Sequence, residues 1–444
     1  MSHSTRREFL ASLSATAIGA SRFPLRAQTK DVRIDAARLR QRIEKLSVFG
    51  RPAGGTFADG VSRTAYSDAD IEGRRFVMAE MTAAGLQPRI DPAGNIFARR
   101  ARSGTAGPPI VFGSHIDSVP NGGNFDGDLG SLSALAAIEA LDAAGVATRH
   151  PLEMVVWAHE EGFAFGRGIA CSRIVAGLIA DGDMDVVWNG MTRGDAIRRI
   201  GGDPGRILDA RRPKGAHHCY LELHIEQGGT LERSNTAIGV VEGIVAIDRH
   251  EALITGFANH AGTTPIAERQ DAMLAAAHLT IAVRDAVTKV PGRQVGTVGQ
   301  IELTPNSPNV IPGRARLSIE LRDLSSQKLS GIMNDIRARA REIAASTRTT
   351  IEFATAMAAE AAVATPEVQQ AIERAAGSLG LSAARLPSGA GHDAQNMALI
   401  GPMGMIFVPS VGGVSHSPKE LTHWDDCARG ADVLLRTILE MDRL

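Results

Sequence analysis

Residues 109–145 read PIVFGSHIDSVPNGGNFDGDLGSLSALAAIEALDAAG. A short apolar run, Pro109 to Gly113, has the character of a buried strand. A polar, glycine-rich turn follows, and then an alanine- and leucine-rich segment, Gly127 to Gly145, with helical spacing. A strand that feeds a helix in this way is the unit of an α/β sheet. Pro151-Leu-Glu-Met-Val-Val-Trp157 repeats the strand pattern and ends in Ala158-His159-Glu160-Glu161-Gly162. Cys219 to Ile225 alternates Tyr220, Glu222 and His224 against Leu221, Leu223 and Ile225, so it too reads as extended. In largely parallel sheets, ligands sit beyond the carboxyl ends of the strands. Each polar cluster in these stretches falls at such an end.

Outward from this core, Ile34 to Leu46 and Asp68 to Gly85 read as helices. The stretch 241–355 changes character: strand 243–257, helix 271–290, strands 294–303 and 314–322, helix 326–346, strand 349–356. That order, β-α-β-β-α-β, is ferredoxin-like. The first pattern then resumes with a helix from Pro366 to Gly377, a strand from Gly404 to Pro409 and a helix from His423 to Met441. The expected fold is α/β: a central, largely parallel sheet flanked by helices, spanning 28–240 and 356–444, interrupted by a ferredoxin-like lid at 241–355.

At 444 residues the chain is long enough for two domains with real cores. Lys+Arg (48) and Asp+Glu (49) nearly cancel, which removes the basic footprint of a nucleic-acid binder. With 13 Phe, 3 Trp and 2 Tyr there is little material for base stacking. Cys171, Cys219 and Cys427 are odd in number and far apart, so neither a disulfide framework nor a CxxC motif is expected. The twin arginine Arg6-Arg7 precedes Phe9-Leu10 and a weakly apolar stretch, resembling a bacterial twin-arginine export signal over residues 1–27. The expectation is therefore a periplasmic protein. That stretch is far short of the ~20 residues a membrane span needs, and no span is expected elsewhere.

Five clusters hold histidine and carboxylate: His115-x-Asp117, Gly122-Gly123-Asn124-Phe125-Asp126-Gly127, Glu160-Glu161-Gly162, His224-Ile225-Glu226-Gln227-Gly228, and Ser415-His416-Ser417-Pro418-Lys419-Glu420. Imidazole and carboxylate without thiolate suit zinc, manganese or cobalt. Any one cluster has an ordinary explanation, such as Asp126 capping the following helix. Five at the same edge of one sheet point to a metal centre.

With GSHIDSVPNGGNFDG (113–127), HEEG (159–162), HIEQG (224–228), NHAGTTP (259–265), NSPNVIPG (306–313) and GAGHDA (389–394), the chain resembles the metal-dependent amidohydrolases of the aminoacylase/carboxypeptidase superfamily, hydantoinase/carbamoylase branch. The resemblance runs from about residue 35 to the C-terminus. It implies two divalent metal ions per subunit, zinc foremost, with Asp126 bridging them. His115 and His224 would complete one site, and Glu161 and His416 the other. It further implies a metal-bridging hydroxide as nucleophile, Glu160 as general base, and Asp117 orienting a ligating histidine. Gln227 would face the carbamoyl or ureido group, and His260 the scissile carbonyl or oxyanion. Arg322, with Asn309, would clamp the substrate carboxylate, and backbone at Gly389 and Gly391 would add donors. Arg249 matches a further anion position, where relatives often carry a basic pair and this chain has Asp248 first. His392 and Asp393 read as structural or as residues that orient a metal ligand. The substrate implied is an N-carbamoyl-L-amino acid or allantoate-like ureido acid, cleaved by a homodimer joined through the lid. A dipeptidase or aminoacylase of the same superfamily, and a non-catalytic binding protein on the same fold, are the alternatives.

Overall fold

The apolar runs at Ile110–His115, Leu152–Trp157 and Cys219–Ile225 are strands, each buried along its whole length. The computed structural model describes residues 32–444; the proposed export segment, 1–27, lies outside them. In chain order the strands before the lid are β1 (Arg89–Ile90), β2 (Ile96–Arg99), β3 (Ile110–His115), β4 (Leu152–Trp157), β5 (Val187–Trp188), β6 (Met191–Thr192), β7 (Cys219–Ile225) and β8 (Ile238–Ile244). Then come β9 (Ala246–Thr255), β10 (Asn259–His260), β11 (Val295–Thr304), β12 (Val310–Ile311), β13 (Arg314–Asp323) and β14 (Thr350–Ala359). β15 (Ala362–Val363), β16 (Ala383–Ser388) and β17 (Met403–Val408) follow.

The main sheet runs β1-β2-β4-β3-β7-β17-β8-β15, with β16 also paired to β8. Its centre, β4-β3-β7-β17, is parallel throughout, and antiparallel strands close both margins. Helices Ala36–Leu46, Asp128–Ala143 and Trp424–Met441 cover one face through Leu39, Leu132, Leu135, Leu434 and Ile438. A second apolar layer, including Trp157, Tyr220, Met397 and Phe407, covers the other. That double cover explains why Tyr220, Glu222 and His224, the polar set of an alternating strand, are all buried. The first two helices start where their caps dictate: the Asp35 and Ser67 side chains accept from the Arg38 and Asp70 amides.

The lid is a separate antiparallel sheet, β11-β13-β9-β14. Helices Ala272–Lys289 and Ser326–Thr347 pack on one face of it, burying Ile254, Leu317, Ile319 and Leu321 against Leu279, Val283, Ile332 and Ile336. Each such side chain contributes about 1.5–3 kcal/mol of burial, so the lid has a core of its own. The strand expected at 243–257 is in fact two. β8 belongs to the main sheet and β9 to the lid, so the chain changes sheets at Val245 rather than at 241. Apolar character continues across that point (Val240, Val241, Ile244, Val245, Ala246, Ile247), leaving no local mark of the crossing. β14 likewise runs on to Ala359. The three cysteines are buried free thiols. Among the described residues no helix is long and apolar enough to cross a membrane.

Candidate metal centre

Parallel strands deliver the histidines to one rim. His115 is the last residue of β3, His224 the penultimate residue of β7, and Glu160 lies three residues beyond β4. Asp126 does not cap the helix that follows it. The cap position is Gly127, which has no side chain to offer, and the Asp126 carboxylate turns to the histidines instead. Gly127 is required there. Its φ is +68°, and a Cβ would stand 2.5 Å from the His115 ring. Gly123 is equally constrained, since its Cβ would lie 2.1 Å from Glu420 Oε1.

The two oxygens of Asp126 face different partners. Oδ1 is 3.4 Å from His115 Nε2 and 3.1 Å from His224 Nε2; Oδ2 is 3.5 Å from His416 Nε2. His416 Nε2 is in turn 3.2 Å from Glu161 Oε2. Two triads result, His115–Asp126–His224 and Asp126–Glu161–His416, each with its candidate ligand atoms within 4.8 Å of one another. His115 Nδ1 donates to the Asp117 carbonyl (2.9 Å) and His224 Nδ1 to the Ile225 carbonyl (3.0 Å). A carbonyl only accepts, so each neutral ring keeps its Nε2 lone pair for the centre. The donor set is nitrogen and oxygen throughout, which fits divalent metals of the zinc and manganese type.

Charge supports the same fit. The ion pairs of Asp126 and Glu161 are all with histidines. Burial opposes the charged form of His115, yet Glu160, Asp126 and Asp117 outweigh it and raise its pKa well above the ordinary value. The hydrogen bonds to Asp126 and Glu161 push His416 up to about 11. Surplus carboxylate that favours positive charge at this place suits a site for divalent cations. Burial, then the charges of Asp393, Glu161 and Asp117, raise the Glu160 carboxyl well above its usual range. Its Oε2 lies 3.9 Å from His115 Nε2.

Asp117 acts differently from expectation. Its carboxylate accepts the amides of Glu160 (3.1 Å) and Glu161 (3.2 Å) and lies 3.8 Å from His115 Nδ1, whose hydrogen bond goes to the Asp117 main-chain carbonyl. The carboxylate thus pins the turn after β4 to the end of β3. Gln227 also departs: its Nε2 donates to Asp126 Oδ2 at 2.7 Å, leaving Oε1 buried and unpartnered. Two residues without a role in the sequence reading complete the bracing. Glu420 Oε1 accepts the Phe125 and Asp126 amides, and the Ser415 hydroxyl lies 3.0 Å from Asp126 Oδ2 and 2.8 Å from Glu420 Oε2. The motif Ser415-His416-Ser417-Pro418-Lys419-Glu420 contained both, but nothing local connects Glu420 to a segment 295 residues away.

His392 packs its ring 4.5 Å from that of His224 and lies 2.9 Å from the Ser388 hydroxyl through Nε2; burial and His224 hold its pKa well down. Asp393 is fully buried with neither carboxyl oxygen hydrogen-bonded, and burial with Glu222 holds it well above its usual range.

The recorded hydrogen bonds and ion pairs of the lid residues are with partners outside the two triads. His260 and Asn309 are exposed neighbours on the β10–β12 ribbon, where the Ala261 amide donates to the Asn309 carbonyl. Arg249 pairs with Glu320, not with a free anion. Arg322 binds Glu320 and donates from Nη1 to the Gly389 carbonyl at 2.5 Å, so Gly389 presents an acceptor where donors were expected. Gly391 is exposed.

The profile described as peptidase family M20/M25/M40 matches residues 111–440. An N-carbamoyl-L-amino acid amidohydrolase of Geobacillus stearothermophilus is 38% identical over 411 residues, 92% of this chain and 99% of that protein. A ureidoglycolate hydrolase of Arabidopsis thaliana is 35% identical over 417 residues, covering 92% and 87%. Among solved structures, an amidase of the hydantoinase/carbamoylase family from Burkholderia multivorans superposes with a TM-score of 0.84 at 33% identity, covering 92% of this chain and 98% of that one.

Proposed function

The chain belongs to the M20/M25/M40 peptidase family, and from that membership we propose that it is a hydrolase of linear, non-peptide C–N bonds, acting on an N-carbamoyl-L-amino acid or an allantoate-like ureido acid. The observation that carries the reading is Asp126, one carboxylate shared between two nitrogen- and oxygen-donor triads. His115, Asp126 and His224 would hold one divalent cation, and Asp126, Glu161 and His416 a second. Such a pair supplies Lewis acidity toward a carbonyl and acidifies water at neutral pH.

The side chains around it have separable duties. Glu160 is in neither triad, and its raised affinity for protons suits a base that takes a proton from attacking water and returns it to the leaving nitrogen. The unpartnered Oε1 of Gln227 is an acceptor for a ureido N–H. Arg322, with Nε and Nη2 on Glu320 and Nη1 on the Gly389 carbonyl, would turn its remaining N–H donors to the substrate carboxylate. His260 and Asn309 act from the lid of a second subunit, His260 donating toward the developing oxyanion. A homodimer through the lid is supported by apolar side chains left exposed there: Leu274 and Ile281, seven residues apart on one stripe of helix Ala272–Lys289, are 49% and 56% exposed.

Ammonia release by metal-reconstituted protein tests the activity, on N-carbamoyl-L-amino acids, β-ureidopropionate, allantoate and ureidoglycolate beside a dipeptide and an N-acetyl amino acid. Turnover of one or more of the ureido compounds is expected. Turnover confined to the dipeptide or the N-acetyl compound overturns the reading. The proposed periplasmic location is tested separately by fractionating cells that make the wild type or the Arg6→Lys/Arg7→Lys double variant. Loss of periplasmic signal is expected in the variant, and equal signal refutes export by that route.

A further inference from the structure

The lid sheet sorts its charges by strand alternation. On β9, Ala252 and Ile254 pack under the helices, and Asp248 and His250 share that parity, with carboxylate and Nε2 2.9 Å apart. Arg249 therefore takes the opposite face, away from the acid that precedes it in sequence. The acid it meets is Glu320, directly across the β9–β13 pair. Glu320 Oε2 accepts from Arg249 Nε at 2.8 Å and from its Nη2. Glu320 Oε1 accepts from Arg322 Nε at 2.8 Å and Nη2 at 2.7 Å. One carboxylate thus holds two guanidinium forks, and Arg322 reaches on to the Gly389 carbonyl of the main domain.

Glu320, Arg322 and Gly389, with Arg293 and Val295, line a cleft of ≈390 Å³. The charge of Arg293 is already matched by Glu242. What remains is two arginines against one carboxylate, a single net positive charge. Burial disfavours the Glu320 anion, but its hydrogen bonds to Arg249 and Arg322 hold its carboxyl below the usual range, so the charge count holds at neutral pH.

We propose that Glu320 is a specificity-determining residue of the lid, restricting the anionic end of the substrate to a single carboxylate. The proposal rests on the reading that Arg322 receives the substrate carboxylate. One carboxylate balances the cluster. A second would meet Glu320 at close range with no cation left to offset it, and that repulsion discriminates between substrates as effectively as an added attraction. The substrate class selected is an N-carbamoyl amino acid with an uncharged side chain, over one with an acidic side chain. Glu320 acts through the two arginines it holds, so it is a positioning and selecting group rather than a catalytic residue.

The test compares wild type with Glu320→Gln, which keeps size and acceptor oxygen but removes the charge. One arm measures kcat/KM of metal-loaded protein for N-carbamoyl-L-methionine and N-carbamoyl-L-aspartate. The variant is expected to shift the ratio about tenfold toward the aspartate compound, mainly through KM, as one nearby charge of weakly screened strength would; Glu320→Asp is expected to restore the wild-type ratio. The second arm needs no turnover: calorimetric binding of butyrate and succinate to the same proteins, where the succinate preference should rise by a similar factor. Arg249→Gln, which removes a cation instead, should move both ratios the opposite way and serves if Glu320→Gln fails to fold. Wild-type turnover with both ratios unchanged in the variants overturns the role of Glu320 alone. A shifted binding ratio in a protein that hydrolyses no ureido acid refutes the proposed activity and leaves Glu320 its role.

Discussion

Asp126 and Glu160 sit within one buried rim, yet their surroundings differ. Every oxygen of Asp126 faces a histidine of a triad, and the amide of Gln227 steadies it. Asp126→Ala is therefore expected to empty both metal positions, whereas His224→Ala or His416→Ala empties chiefly one. Metal content per subunit after gel filtration is the measurement, and two metals retained in Asp126→Ala would contradict the bridge. Glu160 belongs to neither triad, so Glu160→Gln should keep both metals and the fold while kcat falls by ~10²–10⁴, with KM little changed. Activity within a few-fold of wild type at saturating metal would remove Glu160 as the base. The motifs singled these residues out as candidates, and the roles proposed for them are those the family resemblance implies. The bracing by Glu420 and Ser415 was not legible, because hydrogen bonds between remote segments leave no periodic trace.

At the scale of elements, the turn between β3 and helix Asp128–Ala143 is where backbone and chemistry meet. Gly127 combines a positive φ with a ring 2.5 Å from its absent Cβ. Gly127→Ala is expected to cost about 1–3 kcal/mol in the metal-free protein and to weaken metal binding by displacing His115. Denaturant melts and metal titration check the two effects, and an alanine variant with wild-type stability and metal content would show that the turn relaxes. The long elements were readable because each buries one face with a regular period. The helices expected at 271–290 and 326–346 are Ala272–Lys289 and Ser326–Thr347. Short or continuous ones were not: β16, six residues with only two buried, has no apolar pattern to announce it, and the β8–β9 crossing hides inside one apolar run.

For the molecule as a whole, the unresolved demand is distance. An oxyanion donor must come within about 2.7–3.1 Å of the reacting oxygen, and His260 is exposed on a ribbon of the lid, with its Nδ1 accepting only from the nearby Gly262 and Thr263 amides. If it serves the partner's centre, mixing inactive His260→Ala with inactive Glu160→Gln should restore activity. One site of each mixed dimer then carries both defects and the other neither, so random exchange recovers roughly a quarter of wild-type sites. No recovery after demonstrated exchange, or an active monomer by light scattering, would exclude a shared site.

Sequence alone determined the α/β class, the interrupting lid with its β-α-β-β-α-β order, and the candidate ligands, because hydrophobic period and short motifs are local properties of the chain. Tertiary structure decided which polar groups meet. It placed Gln227 on Asp126, tied Glu420 to Phe125, turned the Asp117 carboxylate to the Glu160 and Glu161 amides, and gave Arg249 the acid across the sheet instead of the acid beside it. The reason is geometric. Neighbours along a strand point to opposite faces, so the contacts of a charged side chain are set by what packs against its face, and that packing exists only once distant segments have come together.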